Sequence, residues 1–177
     1  MNASDEPKGR VVAIVGRPNV GKSAVFNRIA GKRIAIVHDQ SGVTRDRLIR
    51  EVMYNEERLT LIDTGGVNVF DKAIERNAIE AGIRAQVDMA LADAAVVILT
   101  VDVLAGIHPA DQEVARLVHQ TGLPCFIAVN KCDLPQHENG FGEFCSLGFP
   151  AFPVSALHAK GFENLMGAVI DKLPPFV

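Results

Sequence analysis

Gly16-Arg17-Pro18-Asn19-Val20-Gly21-Lys22-Ser23 constrains the fold of this chain more than any other stretch. It fits the spacing G-x-x-x-x-G-K-[ST]. A continuous apolar run, Val11 to Val15, leads into Gly16, as expected of a strand buried on both faces. The residues after Lys22 read as the opening of a helix. Glycines let the backbone wrap closely around a phosphate, while successive N–H groups and the helix N-terminus supply positive potential without side chains. Lys22 can reach β and γ phosphates, and the Ser23 hydroxyl can ligate Mg²⁺. The plainer reading is a Gly-rich strand–helix turn, and it loses ground once the flanking strand and helix are counted.

Leu59 to Ile62, Ala94 to Val101 and Cys125 to Val129 repeat the apolar strand pattern, with Ala151 to Val154 a shorter candidate. Helical stripes lie between them: Ile83, Val87, Ala90 and Leu91; then Val114, Leu117 and Val118 after Pro109; then Phe162, Leu165, Met166, Val169, Ile170 and Leu173. Arg47 to Tyr54, the pair Asn55-Glu56 and Glu57 to Ile62 read as two strands joined by a tight turn, giving one antiparallel edge. Strands alternating with helices predict a doubly wound α/β fold with ligands beyond the carboxyl ends of the strands. The expected architecture is the P-loop NTPase three-layer fold: a six-stranded, mostly parallel sheet with one antiparallel edge strand and helices on both faces.

At 177 residues the chain is the size of one domain. The expected organisation is a disordered tail over 1–9, one domain over 10–173 and the start of a linker at 174–177. A net charge of −3 argues against a basic nucleic-acid clamp spread over the whole surface. Three cysteines (Cys125, Cys132, Cys145) lack metal-ligand spacing and suit a reduced, cytoplasmic protein. No apolar run reaches the ~18 residues of a membrane span, and Met1 to Lys8 has no apolar signal core.

Leu59-Thr60-Leu61-Ile62-Asp63 is an apolar strand ending in an acid, expected to hold Mg²⁺ near the glycine loop. With Thr64, Gly65 and Gly66 it reads D-x-x-G, in which the Gly66 N–H can meet a γ phosphate and swing when that phosphate leaves. Alone, D-x-x-G is a turn after a strand. Thr44, in Gln40-Ser41-Gly42-Val43-Thr44-Arg45-Asp46, is a loop threonine able to bring its hydroxyl to Mg²⁺; its bland reading is a solvated loop residue. Asn130-Lys131-Cys132-Asp133 follows the strand ending at Val129 and fits N-K-x-D. The Asp133 carboxylate can accept both guanine donors, N1–H and the 2-amino group, a pair that adenine does not offer. The Asn130 amide can contact the base edge or tie its loop to the glycine loop, and the Lys131 stem can lie over the ring. Ser155-Ala156-Leu157 follows the next short strand, where the Ala156 N–H can donate to guanine O6. The full nucleotide-binding set therefore reads Gly16, Arg17, Pro18, Asn19, Val20, Gly21, Lys22, Ser23, Ala24, Asp63, Thr64, Gly65, Gly66, Asn130, Lys131, Asp133, Ser155, Ala156 and Leu157. Ser23, Thr44 and Asp63 are the metal ligands; Lys22, Thr44, Gly66 and Asn19 are the candidates for catalysis.

These motifs, in this order, resemble translation-factor-type GTPases. Gly16 to Ser23, Gly31-Lys32-Arg33-Ile34-Ala35-Ile36-Val37, Gly42-Val43-Thr44-Arg45-Asp46, Asp63-Thr64-Gly65-Gly66 and Ser146-Leu147-Gly148-Phe149 resemble the first GTPase domain of the Der (EngA) family over about residues 10 to 173. The resemblance implies a GTP- and Mg²⁺-dependent switch. It also implies as partners a second GTPase domain, a KH-like domain and the large ribosomal subunit, whose assembly this bacterial family assists. Ala24 stands where the family usually has Thr. Val67 follows the D-x-x-G motif where Ras-like proteins place a water-orienting glutamine, so the chain departs from that mechanism. Asn19 matches an asparagine that helps hold K⁺ in some relatives; its other reading is a turn residue of the glycine loop.

His38, His108, His119, His137 and His158 are scattered and read as surface histidines. Asp102 ends an apolar strand and is expected to cap the loop before Pro109. Glu75, Arg76, Glu80 and Arg84 read as a solvated helix face, with a partner surface as the alternative. Three functions compete: a hydrolysing switch, a nucleotide-dependent binding module, and an ATP-using kinase or ATPase. N-K-x-D speaks against the third.

Overall fold

A computed structural model describes residues 9–17, 19–31, 48–63 and 91–175. Among these residues the elements run β1 (Val11–Val15), α1 (Lys22–Ala30), β2 (Leu48–Tyr54), β3 (Glu57–Asp63), β4 (Val96–Asp102), α2 (Pro109–Thr121), β5 (Cys125–Asn130), a 3₁₀ segment (Pro135–Leu147), β6 (Ala151–Pro153) and α3 (Phe162–Lys172). The six strands form one sheet in the order β2-β3-β1-β4-β5-β6. Every pairing is parallel except β2 with β3, the predicted antiparallel edge.

The apolar runs become the buried centre because both of their faces are covered. Val12 and Ile14 of β1 join a core layer with Phe26 and Ile29 of α1 and Leu165, Met166 and Val169 of α3. Ala13 and Val15, pointing the other way, join a second layer with Val114, Leu117 and Val118 of α2 and Phe144 of the 3₁₀ segment. Strand β4, seven residues long, is buried throughout. The β2–β3 turn places Asn55 and Glu56 at φ 47° and 67°. Positive φ at both central residues matches the right-handed twist of the flanking strands.

Helix α2 starts at Pro109 as expected, and its cap is His108. The Ala110 N–H donates to His108 Nδ1 (2.9 Å), and the His108 N–H donates to Asp111 Oδ2 (3.0 Å). This histidine is exposed, as the sequence suggests, and also fixes a helix end. His119 is exposed too and stacks on Phe149 with ring centroids 3.9 Å apart. Of the stripe Ile83, Val87, Ala90 and Leu91, only Leu91 lies among the described residues, and it is buried. The 3₁₀ segment has no counterpart in the sequence reading.

Candidate nucleotide site

The sheet brings the motifs together at the carboxyl ends of its central strands. Asp63 ends β3 in register with Ile14 of β1, two residues before Gly16. Asp102 ends β4 in register with Asn130, which ends β5. The glycine loop leaves β1 between these neighbours and enters α1 at Lys22. Gly21 adopts φ 91°, ψ 28°, and a Cβ there would strike the Asn130 amide. At Gly16 a Cβ would lie 2.6 Å from the Thr100 carbonyl oxygen. Both glycines are thus required by close approach as well as by backbone freedom. The Lys22 ammonium donates to the Gly16 carbonyl (2.5 Å), which folds its stem back over the loop.

Asn130 joins three segments. Only 3% exposed, it donates from Nδ2 to the Val20 carbonyl (3.1 Å) and accepts at Oδ1 from the Ala156 N–H (3.1 Å). Of its two sequence readings, a tie to the glycine loop is the one realised here. The Ala156 N–H, expected to read O6, points at Asn130 Oδ1. Lys131 donates to the Asn19 carbonyl (3.2 Å) and pairs with Asp102 Oδ2 (2.8 Å). Asp102 also accepts from the Leu104 N–H through Oδ1 (2.8 Å), the loop cap foreseen in the sequence. Its grip on Lys131 was not foreseen, although the strand-end position of both residues was visible. Asp133 Oδ1 accepts from Ser155 Oγ (2.5 Å), and that hydroxyl also receives the His158 N–H (3.1 Å). A cleft of about 630 Å³ lies between Gly21 and Ala24 on one side, and Lys131, Asp133, Ala156 and Leu157 on the other. The Cys132 thiol inside the base motif is pushed up to about 11, first by burial, so it stays protonated at neutral pH.

The Arg17 side chain pairs with Asp111 of α2, with Nε 3.3 Å from Oδ1. Asp111 is fully buried. Burial raises its carboxyl above the usual 3.8, against the lowering pull of the His108 N–H and the Arg17 charge. An acid with a raised folded value stabilises the fold most below its unfolded value and loses that contribution as pH rises through the folded one. The stability advantage of the native protein over Asp111→Asn should therefore shrink as pH rises above about 4 in urea titrations. An advantage that grows with pH would mean the Arg17 pair outweighs burial.

Pro18, Thr44, Thr64, Gly65, Gly66 and Val67 lie outside the described residues. Those described fit a magnesium nucleotide. Ser23 lies in the first turn of α1, buried Asp63 ends the adjacent strand, and a hydroxyl with a carboxylate is a hard-oxygen donor set. Gly16 and Gly21, packed too closely for a Cβ, keep side chains out of the glycine loop at those two positions.

A family described as 50S ribosome-binding GTPase matches residues 11–131. The chain belongs to that family. Within it, the Der resemblance holds. GTPase Der of a Cyanothece species is 48% identical over 167 residues, covering 93% of this chain and 36% of the relative. GTPase Der of Persephonella marina is 45% identical over 166 residues, with the same coverage. The chain thus spans about 36% of the length of these GTPase Der relatives. The fold is shared with the G domain of the T. maritima FeoB iron transporter, at TM-score 0.64 and 23% identity, covering 92% of this chain and 97% of that one. Elongation factor SelB of Methanococcus maripaludis aligns at TM-score 0.68 and 17% identity, covering 96% and 35%. Among the described residues no helix is long and apolar enough to cross a membrane.

Proposed function

We propose that this domain binds GTP with Mg²⁺ and hydrolyses its terminal phosphate bond slowly, as a switch. The observation that carries this reading is the joint between phosphate loop and base loop. Asn130 and Lys131 of N-K-x-D hold the Val20 and Asn19 carbonyls, so one rigid frame presents both ends of a guanine nucleotide site. Residues 16–23 take the phosphates through backbone N–H groups, and Lys22 releases Gly16 to meet the β and γ oxygens. Ser23, Thr44 and Asp63 hold Mg²⁺, which when bound neutralises charge on the phosphates. Thr64, Gly65 and Gly66 follow the γ phosphate. Asp133 accepts from N1–H and the 2-amino group, with Ser155 orienting its carboxylate. The Ala156 N–H turns from Asn130 to O6, Leu157 closes the edge of the ring, and the Lys131 stem covers its face.

Val67 has no group to polarise water, and a second cation bound beside the phosphates would supply part of the charge needed in the transition state. K⁺ held by Asn19 and the loop before Thr44 suits that role. Unassisted turnover is on the order of 10⁻⁴ to 10⁻² s⁻¹. By likeness to Der the domain works beside a second GTPase domain and a KH-like domain, in the cytoplasm, on the large ribosomal subunit. Residues 10–173 form the domain in this reading, between a tail and a linker.

GTP turnover in matched KCl and NaCl, with ATP as control, tests the proposal. Faster GTP hydrolysis in KCl and none with ATP is the expected result. Equal, near-zero GTP rates would make the domain a nucleotide-dependent binding module, and hydrolysis of ATP would remove the guanine assignment.

A further inference from the structure

Arg28 lies on α1, six residues beyond Lys22, and the sequence reading gave it no role. Its Nε donates to the Ala156 carbonyl (2.8 Å) and its Nη2 to the Leu157 carbonyl (3.3 Å). The planar guanidinium thus grips two successive carbonyls across 128 residues of sequence. The same Ala156 residue donates its N–H to Asn130 Oδ1 (3.1 Å) and is only 5% exposed. Ala156 is therefore held from both sides, by the helix that carries the phosphate loop and by the residue that opens N-K-x-D. Arg28 lines the cleft together with Ala156 and Asp133.

We propose that Arg28 is a positioning residue for guanine recognition, anchoring the Ala156–Leu157 carbonyls at the base edge of the cleft, from where the Ala156 N–H turns to read O6. The inference rests on the O6 reading above. One physical effect supports it: a charged, forked donor on two successive carbonyls limits rotation of this loop. A lysine keeps the charge but has no fork, so it restores only part of the grip.

The test is a binding cycle with three nucleotides: GDP; IDP, which keeps O6 and lacks the 2-amino group; and the 2-aminopurine riboside diphosphate, which has no acceptor at C6. Arg28→Ala should weaken GDP and IDP alike, by about tenfold, the loss of one charge-assisted hydrogen bond. It should leave the 2-aminopurine analogue unchanged. The N1–H that this analogue also lacks cancels, since native and variant proteins face the same ligand. Arg28→Lys should fall between, and both variants should remain folded by circular dichroism. Equal weakening of all three ligands would make Arg28 a general strut of the fold and overturn the proposal. No weakening of any would do the same. If the native protein binds GDP and the 2-aminopurine analogue equally, the O6 reading fails first, and the role of Arg28 goes with it.

Discussion

Asp133→Asn should exchange guanine for xanthine. A carboxylate accepts from both N1–H and the 2-amino group, whereas the asparagine amide meets the 2-amino group donor to donor. A hydrogen bond to a charged group contributes about 1.5–3 kcal/mol, and the change removes one while leaving a donor unpaired, so GDP affinity should fall on the order of 10³-fold. Xanthine carries a carbonyl where guanine has its amine, and the new amide can donate to it. The substitution should fold normally, because the asparagine oxygen can still accept from Ser155 Oγ as the Asp133 oxygen does at 2.5 Å. Titrations with GDP and XDP give the readout. A protein that keeps its preference for GDP would falsify the assignment of Asp133 to the base.

Gly21→Ala should damage fold and site together. Residue 21 sits at φ 91°, a region in which an L side chain is strained by about 1–3 kcal/mol. The added methyl also strikes the Asn130 amide, whose displacement leaves the buried Val20 carbonyl and Ala156 N–H without their partner. Each buried group left unpaired costs about 1–3 kcal/mol, so the combined loss should reach about 3 kcal/mol or more. Urea denaturation should show that drop, and GDP affinity should fall by at least about 10²-fold as the base loop separates from the phosphate loop. Gly122→Ala is the matched control. Gly122 caps α2 at φ 73° with nothing near its Cβ position, so strain acts there alone and nucleotide affinity should hold. Near-native stability and affinity in Gly21→Ala would show that Asn130 has room to move and is no fixed joint.

The strands and the glycine loop were legible because their signals are local. Val11 to Val15, Cys125 to Val129 and the turn at Asn55-Glu56 each carry their own pattern, and the structure places β1, β5 and the hairpin there. Strand ends moved by a residue or two: the short last strand stops at Pro153, while the Val154 N–H still reaches the Val129 carbonyl. The segment Pro135–Leu147 escaped notice because Pro135, Gly140 and Gly142 break any 3.6-residue stripe. The partners of Arg28, Asp102 and Asp111 were not legible for a different reason. Each reaches a residue on another element, and only the order of strands in the sheet decides which elements are neighbours. The Arg17 side chain likewise pairs with a fully buried acid on α2, a contact that its place in the glycine loop does not foretell.

The joint at Asn130 also sets an order of events during synthesis. The phosphate loop leaves the ribosome early, whereas Asn130, Asp133 and Ala156 follow more than a hundred residues later, and Asn130 and Ala156 complete each other only when both are present. A nascent chain that ends before Asn130 holds the glycine loop without the residues proposed to tell guanine from adenine. Such a chain would be base-blind, so selectivity for the base would follow phosphate binding as the domain is made.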